Sequence, residues 1–217
     1  MNKYLIVFLL FLTACAAPAF TPPAAETGTA AAPLLTVYAS AAAQPWLSEV
    51  YSCAEKQSVV MRLSETESSA DLRLRIGEPE NLTLPVYQID SEELLIVTHR
   101  ESPIQNLTAD EARGLFSRPE GQAVQIWVFA SGEDVQQVFA REIMHGSPVT
   151  SLARVALSPQ QMSDTLNQEK NALGILPRHW KAGSVREVFS LPDVPVLALT
   201  TAEPQGALKE LLACLQK

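Results

Sequence analysis

The chain has 217 residues, a formal net charge of -8 at pH 7 and 47% hydrophobic residues. An acidic surface argues against nucleic acid as a partner and against electrostatic adhesion to anionic lipid. The three histidines, His99, His145 and His179, are scattered without the spacing of metal ligands, so we expect no metal site. No Ser-His-Asp order, Cys-His pair, Walker loop or G-x-G-x-x-G motif is present, so we expect neither an enzyme nor a bound cofactor.

The first fifteen residues have the pattern of a targeting segment. Lys3 supplies positive charge, residues 4–12 are apolar but too short to span a bilayer, and residues 12–15 (LTAC) fit a bacterial lipobox. We predict that Cys15 takes a diacylglyceryl group and that its acyl chains anchor the protein, because each buried CH2 contributes roughly 0.8 kcal/mol. The alternative is an ordinary signal peptide with an incidental cysteine. The predicted location is extracytoplasmic, on the cell membrane, as a lipoprotein.

Residues 16–33 are rich in Ala, Pro and Thr, carry one charge and show no periodicity. Such a composition cannot bury a core, so we predict a flexible tether. The folded domain is expected at residues 34–217. This length is enough for one domain or for two small lobes.

The first part of this domain predicts the order strand, helix, strand, strand. Two apolar strands are predicted at residues 34–40 and 58–63, and between them a helix that Pro45 begins, at residues 46–56. A third strand, with strict alternation of apolar and polar residues, is predicted at residues 70–76. This order suits a sheet of parallel type flanked by helices. We place Asp71 and Arg75 near the carboxyl end of the third strand, where α/β folds bind ligands. The alternative for both residues is a solvent-exposed strand face.

The stretch from residue 93 to residue 139 predicts strand, helix, strand, helix. Both strands are apolar runs with β-branched residues, at 94–98 and 124–129. Before each helix a hydroxyl residue is followed three positions later by a carboxylate, which is the capping-box pattern: Thr108 with Glu111, and Ser131 with Asp134. Further on, the sequence predicts a helix from Ser158, two return strands and a final amphipathic helix, with residues 83–90 as the connection out of the first part.

Several of these segments match motifs of a known family. The matching positions are Asn106, Leu107, Thr108, Glu111, Leu115, Phe116, Ser117, Ser131, Gly132, Phe139 and residues 171–177 (NALGILP). As a set they resemble the second lobe of type II periplasmic binding proteins, in particular the phosphate-binding group of ABC importers. The chain departs from that group where Glu133 and Asp134 stand in place of its usual Thr and Arg, and where the loop 118–121 is shortened.

The resemblance implies an α/β, two-lobed fold of the type II periplasmic-binding-protein kind, each lobe being a small mixed sheet flanked by helices. It covers the chain from roughly Leu35 to the C-terminus. Lobe I would comprise residues 34–90 and 185–217, and lobe II would comprise residues 91–184.

The same resemblance implies a ligand site in the cleft between the lobes, where helix N-termini and hydroxyls hold the ligand. By motif, Ser131 and Gly132 would bind from one lobe and Ser40, after the first strand, from the other. The expected ligand is a small oxyanion. For Ser131 the alternative is a plain N-cap, and the carboxylates of Glu133 and Asp134 would repel an anion.

Two functions stay open on this basis. The first is an extracytoplasmic solute-binding lipoprotein that holds a small anion such as phosphate in its cleft, closes about a hinge and is read by an ABC permease. The second is a sensory or scaffolding lipoprotein that keeps the fold without tight ligand binding, which the acidic pair Glu133 and Asp134 favours. A secreted hydrolase would be a third class, and no motif supports it.

Cys53 and Cys214 are the cysteines that remain once Cys15 is acylated. The compartment outside the cytoplasmic membrane permits oxidation. In the fold that the chain resembles, the C-terminal helix returns to the first lobe, which implies a disulfide between these two residues. The alternative is two separate buried thiols, since free cysteine often packs as a small hydrophobe.

Overall fold

The computed structural model describes residues 32–119 and 123–216. The predicted signal segment with Cys15, and the predicted tether up to residue 31, lie outside the described residues. The strands are β1 (Leu34–Ala39), β2 (Val60–Leu63), β3 (Leu72–Ile76), β4 (Val86–Thr98), β5 (Gln125–Val128), β6 (Arg154–Val155), β7 (Ala172–Pro177) and β8 (Arg186–Thr200). The α-helices are α1 (Leu47–Lys56), α2 (Ala109–Ser117), α3 (Asp134–Phe139), α4 (Pro159–Gln168) and α5 (Gly206–Leu215).

All the strands belong to one mixed sheet in the order β2-β1-β3-β8-β4-β7-β5-β6. Strand β1 runs parallel to β2 and β3, and β5 runs parallel to β6 and β7. The long strands β4 and β8 are antiparallel to each other and join these two groups. We call the part around β1–β3 the first lobe and the part around β5–β7 the second lobe. The predicted α/β class with a mixed sheet is therefore confirmed.

The two central strands are longer than the sequence predicted. Residues 83–90 were expected as a connection, but β4 already begins at Val86, and the two expected return strands form the single strand β8. The register between β4 and β8 shifts at three places, and Asp193 has a positive φ of 56°. Such irregularities bend a strand without ending it. Pro192 and Asp193 therefore lie within one continuous strand.

Local signals were correct for helix α2 and for strand β3. The Oγ1 atom of Thr108 accepts a hydrogen bond from the amide of Glu111 at 3.3 Å, and Glu111 Oε2 accepts one from the amide of Thr108 at 2.8 Å. This reciprocal pair is the predicted capping box. Along β3, the apolar residues are buried and the arginines between them are half-buried, as the alternation predicted.

Helices α4 and α5 show how the faces of the sheet are covered. Strand β7 is buried along its whole length, and a Cβ atom on its Gly174 would lie 2.7 Å from Met162 Sδ on α4. Glycine at this position therefore lets the helix approach the strand closely. Helix α5 packs on α1, and a disulfide joins Cys214 to Cys53 between them. No helix within the described part of the chain combines the length and apolarity needed to span a bilayer.

Candidate functional site

The carboxyl ends of strands from both lobes meet at the start of helix α3. Ser40 follows β1 directly, Ile76 ends β3, and the chain that leaves β5 enters α3 at Asp134. In α/β sheets the carboxyl ends of parallel strands are where ligands bind. This junction between the lobes is therefore the candidate functional site.

A carboxylate of the chain itself occupies the centre of this junction. Asp134 is only 5% exposed, and its Oδ2 atom accepts a hydrogen bond from Ser40 Oγ at 2.5 Å and another from the Ile76 amide at 2.8 Å. Its Oδ1 atom accepts from the Val135 amide at 2.8 Å. Hydrogen bonds to an ionised carboxylate are short and strong. The predicted donor Ser40 is therefore bound to an internal anion that comes from the opposite lobe.

The start of α3 differs from its prediction. The N-cap residue is Glu133, without a side-chain cap, and Ser131 and Gly132 lie exposed in the preceding turn. The expected capping box of Ser131 with Asp134 is wrong, because the carboxylate of Asp134 bonds to groups of the other lobe instead of folding back. The spacing of residues in the sequence indicates only hydrogen-bond partners that are close along the chain. Here the carboxylate has partners that are distant in sequence.

Arg75 and Asp71 have separate roles. Arg75 Nη2 donates to Gln137 Oε1 at 2.8 Å, which links β3 to α3 across the junction, and its Nε donates to the carbonyl of Gly77 at 3.0 Å. Asp71 precedes β3 and so lies at the amino end of the strand, where it accepts from the Thr36 amide at 2.7 Å. The placement of Asp71 near the carboxyl end was wrong, because the strand begins only at the next residue. Its bonds to Thr36 hold neighbouring strands together.

The residues whose bonds across the junction the sequence did not predict are Asp134 and Gln137. Both lie on α3 and reach across to the first lobe. The one available signal was the acidic residue at a position where the resembled family carries Arg. That signal indicated repulsion of an anion, and the structure adds that the carboxylate itself takes the anion's hydrogen bonds.

The junction is tightly packed. The space next to Asp134, bounded by Ala42, Phe129 and Glu133 among others, measures about 10 Å³. A single buried water needs roughly 10–15 Å³, so a phosphate does not fit between these walls. Gly77 adopts a φ of +73°, and a Cβ atom there would lie 2.2 Å from Val138 Cγ2. Only glycine therefore lets β3 and α3 approach this closely.

The charges at the junction are mostly negative. Burial raises the pKa of Glu133 above its usual value, and the neighbouring carboxylate of Asp134 adds to that rise. Burial also raises the pKa of Tyr38, with contributions from Glu67, Glu133 and Asp134, while Arg75 opposes them. An anion that entered here would meet carboxylates before it met free donors.

A second set of contacts joins the lobes beside the first. Trp180 Nε1 donates to the carbonyl of Ala42 at 2.9 Å, and the ring of His179 lies 4.5 Å from that of Trp46. His179 Nδ1 lies 2.8 Å from a carboxylate oxygen of the buried Glu92. These contacts help to hold the lobes together.

Comparison with known proteins identifies the fold. No protein-family model and no curated protein matches the sequence. A solved structure from Clostridium perfringens, assigned as a phosphate ABC transporter substrate-binding protein with bound phosphate, matches at 13% identity and a TM-score of 0.72, over 84% of this chain and 92% of that one. An ABC-type phosphate transport receptor from Vibrio cholerae matches at 16% identity and a TM-score of 0.66, over 84% and 93%. This chain has the two-lobed periplasmic-binding-protein fold.

The same fold also occurs outside transport. The regulatory domain of CcmR from Synechocystis PCC6803, in complex with 2-PG, matches at 13% identity and a TM-score of 0.63, over 84% of this chain and 95% of that one. At such identities the likeness shows the fold alone. The fold of this chain is therefore shared with solute receptors and with a regulatory domain.

Proposed function

We propose that this protein is an extracytoplasmic lipoprotein with a sensory or scaffolding role, which keeps the two-lobed binding-protein fold and does not bind an anion tightly between its lobes. The observation that supports this proposal is the pair of bonds from Ser40 Oγ and the Ile76 amide to Asp134 Oδ2. An oxyanion in the cleft would need such donors, and the carboxylate of Asp134 already takes them. The small space beside Asp134 points the same way.

The second candidate is a solute-binding lipoprotein that delivers a small oxyanion, such as phosphate, to an ABC permease. Two features favour it: a hydroxyl and a backbone amide converge on one oxygen atom, and structural neighbours bind phosphate or 2-PG. For this function the lobes would have to separate and an oxyanion would have to displace the carboxylate of Asp134. Each charge-assisted hydrogen bond that the oxyanion forms would then replace one that the carboxylate of Asp134 gives up.

Titration calorimetry with phosphate, sulfate and molybdate tests the choice on the purified chain in detergent. We expect no anion to bind more tightly than about 1 mM, which corresponds to roughly -4.1 kcal/mol. Ser40→Ala should leave this result unchanged, with Ser131→Ala as the matched control in the exposed turn. Micromolar binding that is lost in Ser40→Ala and kept in Ser131→Ala would support the solute receptor and end the scaffold proposal.

Anchoring by lipid belongs to both candidates and rests on the lipobox at residues 12–15. We expect wild-type protein to incorporate a radioactive fatty acid, whereas Cys15→Ala should take up no label and should be left unprocessed or unanchored, because the thiol is the acyl acceptor. The double variant Cys53→Ala with Cys214→Ala is the control, since it removes the other cysteines and leaves no unpaired thiol among them. Equal labelling of the wild type and Cys15→Ala would contradict lipidation at this position.

A further inference from the structure

The second lobe contains a larger cavity on the side away from the junction. It measures about 690 Å³ and lies where strands β5 and β7 begin, beside the loop between β4 and α2. Strand β5 leads from this cavity toward Asp134, so the two sites lie at opposite ends of the strand. Cavities that hold small molecules in proteins usually measure roughly 300–1,000 Å³. This one is therefore of a size suited to a ligand, unlike the space at the junction.

The walls of the cavity are mainly apolar. Ile104, Leu107, Leu115 and Val124 come from the loop, from α2 and from the residues before β5. Ile104 is 8% exposed and the other three pack against the hydrophobic core, so these walls are held by the fold. Apolar walls fixed in this way remove hydrocarbon surface of a ligand from water, which favours binding.

A pair of opposite charges lines the same cavity. Lys170 Nζ lies 2.6 Å from Glu101 Oε2, and these side chains are 73% and 48% exposed. The hydrogen bond from Lys170, together with its charge, lowers the pKa of Glu101 below its usual value. The carboxylate form of Glu101 is therefore favoured. Ion pairs this exposed to solvent contribute little to stability, so a ligand can exchange with one at low cost.

We infer that this cavity binds a small zwitterion with an apolar body. A ligand with one charge would pair with either Lys170 or Glu101 and would leave the other without its partner. A zwitterion supplies a carboxylate to Lys170 and an ammonium to Glu101, so both charges of the protein stay paired. Its apolar body then covers the wall formed by Leu107 and Leu115. The inference does not depend on how the junction at Asp134 functions.

L-phenylalanine and its capped forms test this inference on the purified chain in detergent. Titration calorimetry is expected to show millimolar or tighter binding of L-phenylalanine. N-acetyl-phenylalanine, which lacks the ammonium, and phenylalaninamide, which lacks the carboxylate, should each bind at least tenfold more weakly. The inference would be overturned if L-phenylalanine showed no binding at about 10 mM, which corresponds to a free energy of roughly -2.7 kcal/mol. Equal binding of the capped forms would overturn it as well.

Two pairs of variants locate the site. Lys170→Gln should weaken L-phenylalanine binding at least tenfold, whereas Lys209→Gln, an exposed charge on α5, should leave it unchanged. Leu115→Trp should block the cavity, with Leu152→Trp as control because Leu152 is 76% exposed. Lys170 is a surface residue, so its variant is expected to fold even if Leu115→Trp does not. Wild-type affinity in Lys170→Gln would refute the proposed site.

Discussion

Removal of the disulfide is expected to lower the free energy of unfolding by about 2–5 kcal/mol. Cys53 and Cys214 are 161 positions apart in sequence and join α1 to α5. A bond that closes so long a loop restricts the unfolded chain, and the chain-entropy model gives about 5 kcal/mol as the upper value. The test variant carries both Cys53→Ala and Cys214→Ala, since alanine is compatible with both helices. Urea denaturation of wild type and variant measures the difference.

The reduced wild type is the control for this prediction. If the loss of stability comes from the cross-link, wild-type protein in reductant and the double variant should unfold at similar urea concentrations. Alkylation under denaturing, non-reducing conditions should find no free thiol at Cys53 or Cys214. Two reactive thiols in the purified protein, or equal stability with and without reductant, would contradict the prediction.

Elements controlled by neighbouring residues were predictable from the sequence. The capping box at Thr108 and Glu111 needs only two positions three apart, and the alternation along β3 needs only the period of a strand. The α/β class follows from the order of such elements. In each case the deciding interaction lies within a few residues of sequence.

The long central strands were not predictable in this way. Strand β4 includes the polar residues Asp90, Ser91 and Glu92, and β8 includes Pro192 and Asp193, which resemble connections. The pairs on either side of this irregularity, Glu92 with Val194 and Leu94 with Leu191, keep the two strands together in the sheet. Glu92 is buried because His179, 87 positions away, meets its carboxylate. Such partners are visible only in the folded chain.

The candidate site shows the same limit. Ser40 and Arg75 were named from the sequence and do lie at the junction, but their partners Asp134 and Gln137 are 94 and 62 positions away. Spacing assigned Asp134 to the local cap of Ser131. Only the packing of α3 against β3 shows that its carboxylate bonds across the lobes. The pairing of Glu101 with Lys170 is likewise a contact between segments distant in sequence.

Replacing Asp134 with alanine is the second large effect that we expect. The variant should lose about 2–4 kcal/mol of unfolding free energy, because the Ser40 hydroxyl and the Ile76 amide are left without an acceptor in a buried place. Asp134→Asn keeps an oxygen at the same position without the charge, so its loss should be smaller. Urea denaturation at pH 7 compares the three proteins.

Glu133→Gln is the matched control, and its effect should have the opposite sign. Burial and the charge of Asp134 raise the pKa of Glu133 in the folded state. Protonated Glu133 contributes stability that is fully present below the pKa of this residue in the unfolded chain. That contribution is lost as the pH rises through its pKa in the folded protein. At pH 7 the glutamate is therefore unfavourable, and glutamine should stabilise the protein modestly. A loss of stability in Glu133→Gln would show that its carboxylate has a favourable partner.

An added anion separates the two functions that the junction permits. If the donors at Ser40 and Ile76 need an oxyanion, formate should raise the unfolding midpoint of Asp134→Ala, because it replaces the missing carboxylate. The wild type should not respond, since its own carboxylate already accepts those bonds. Stabilisation of the wild type to the same extent would mean that an external anion competes with Asp134 successfully, as a solute receptor requires. Rescue confined to the variant is the outcome that agrees with a junction closed by its own side chain.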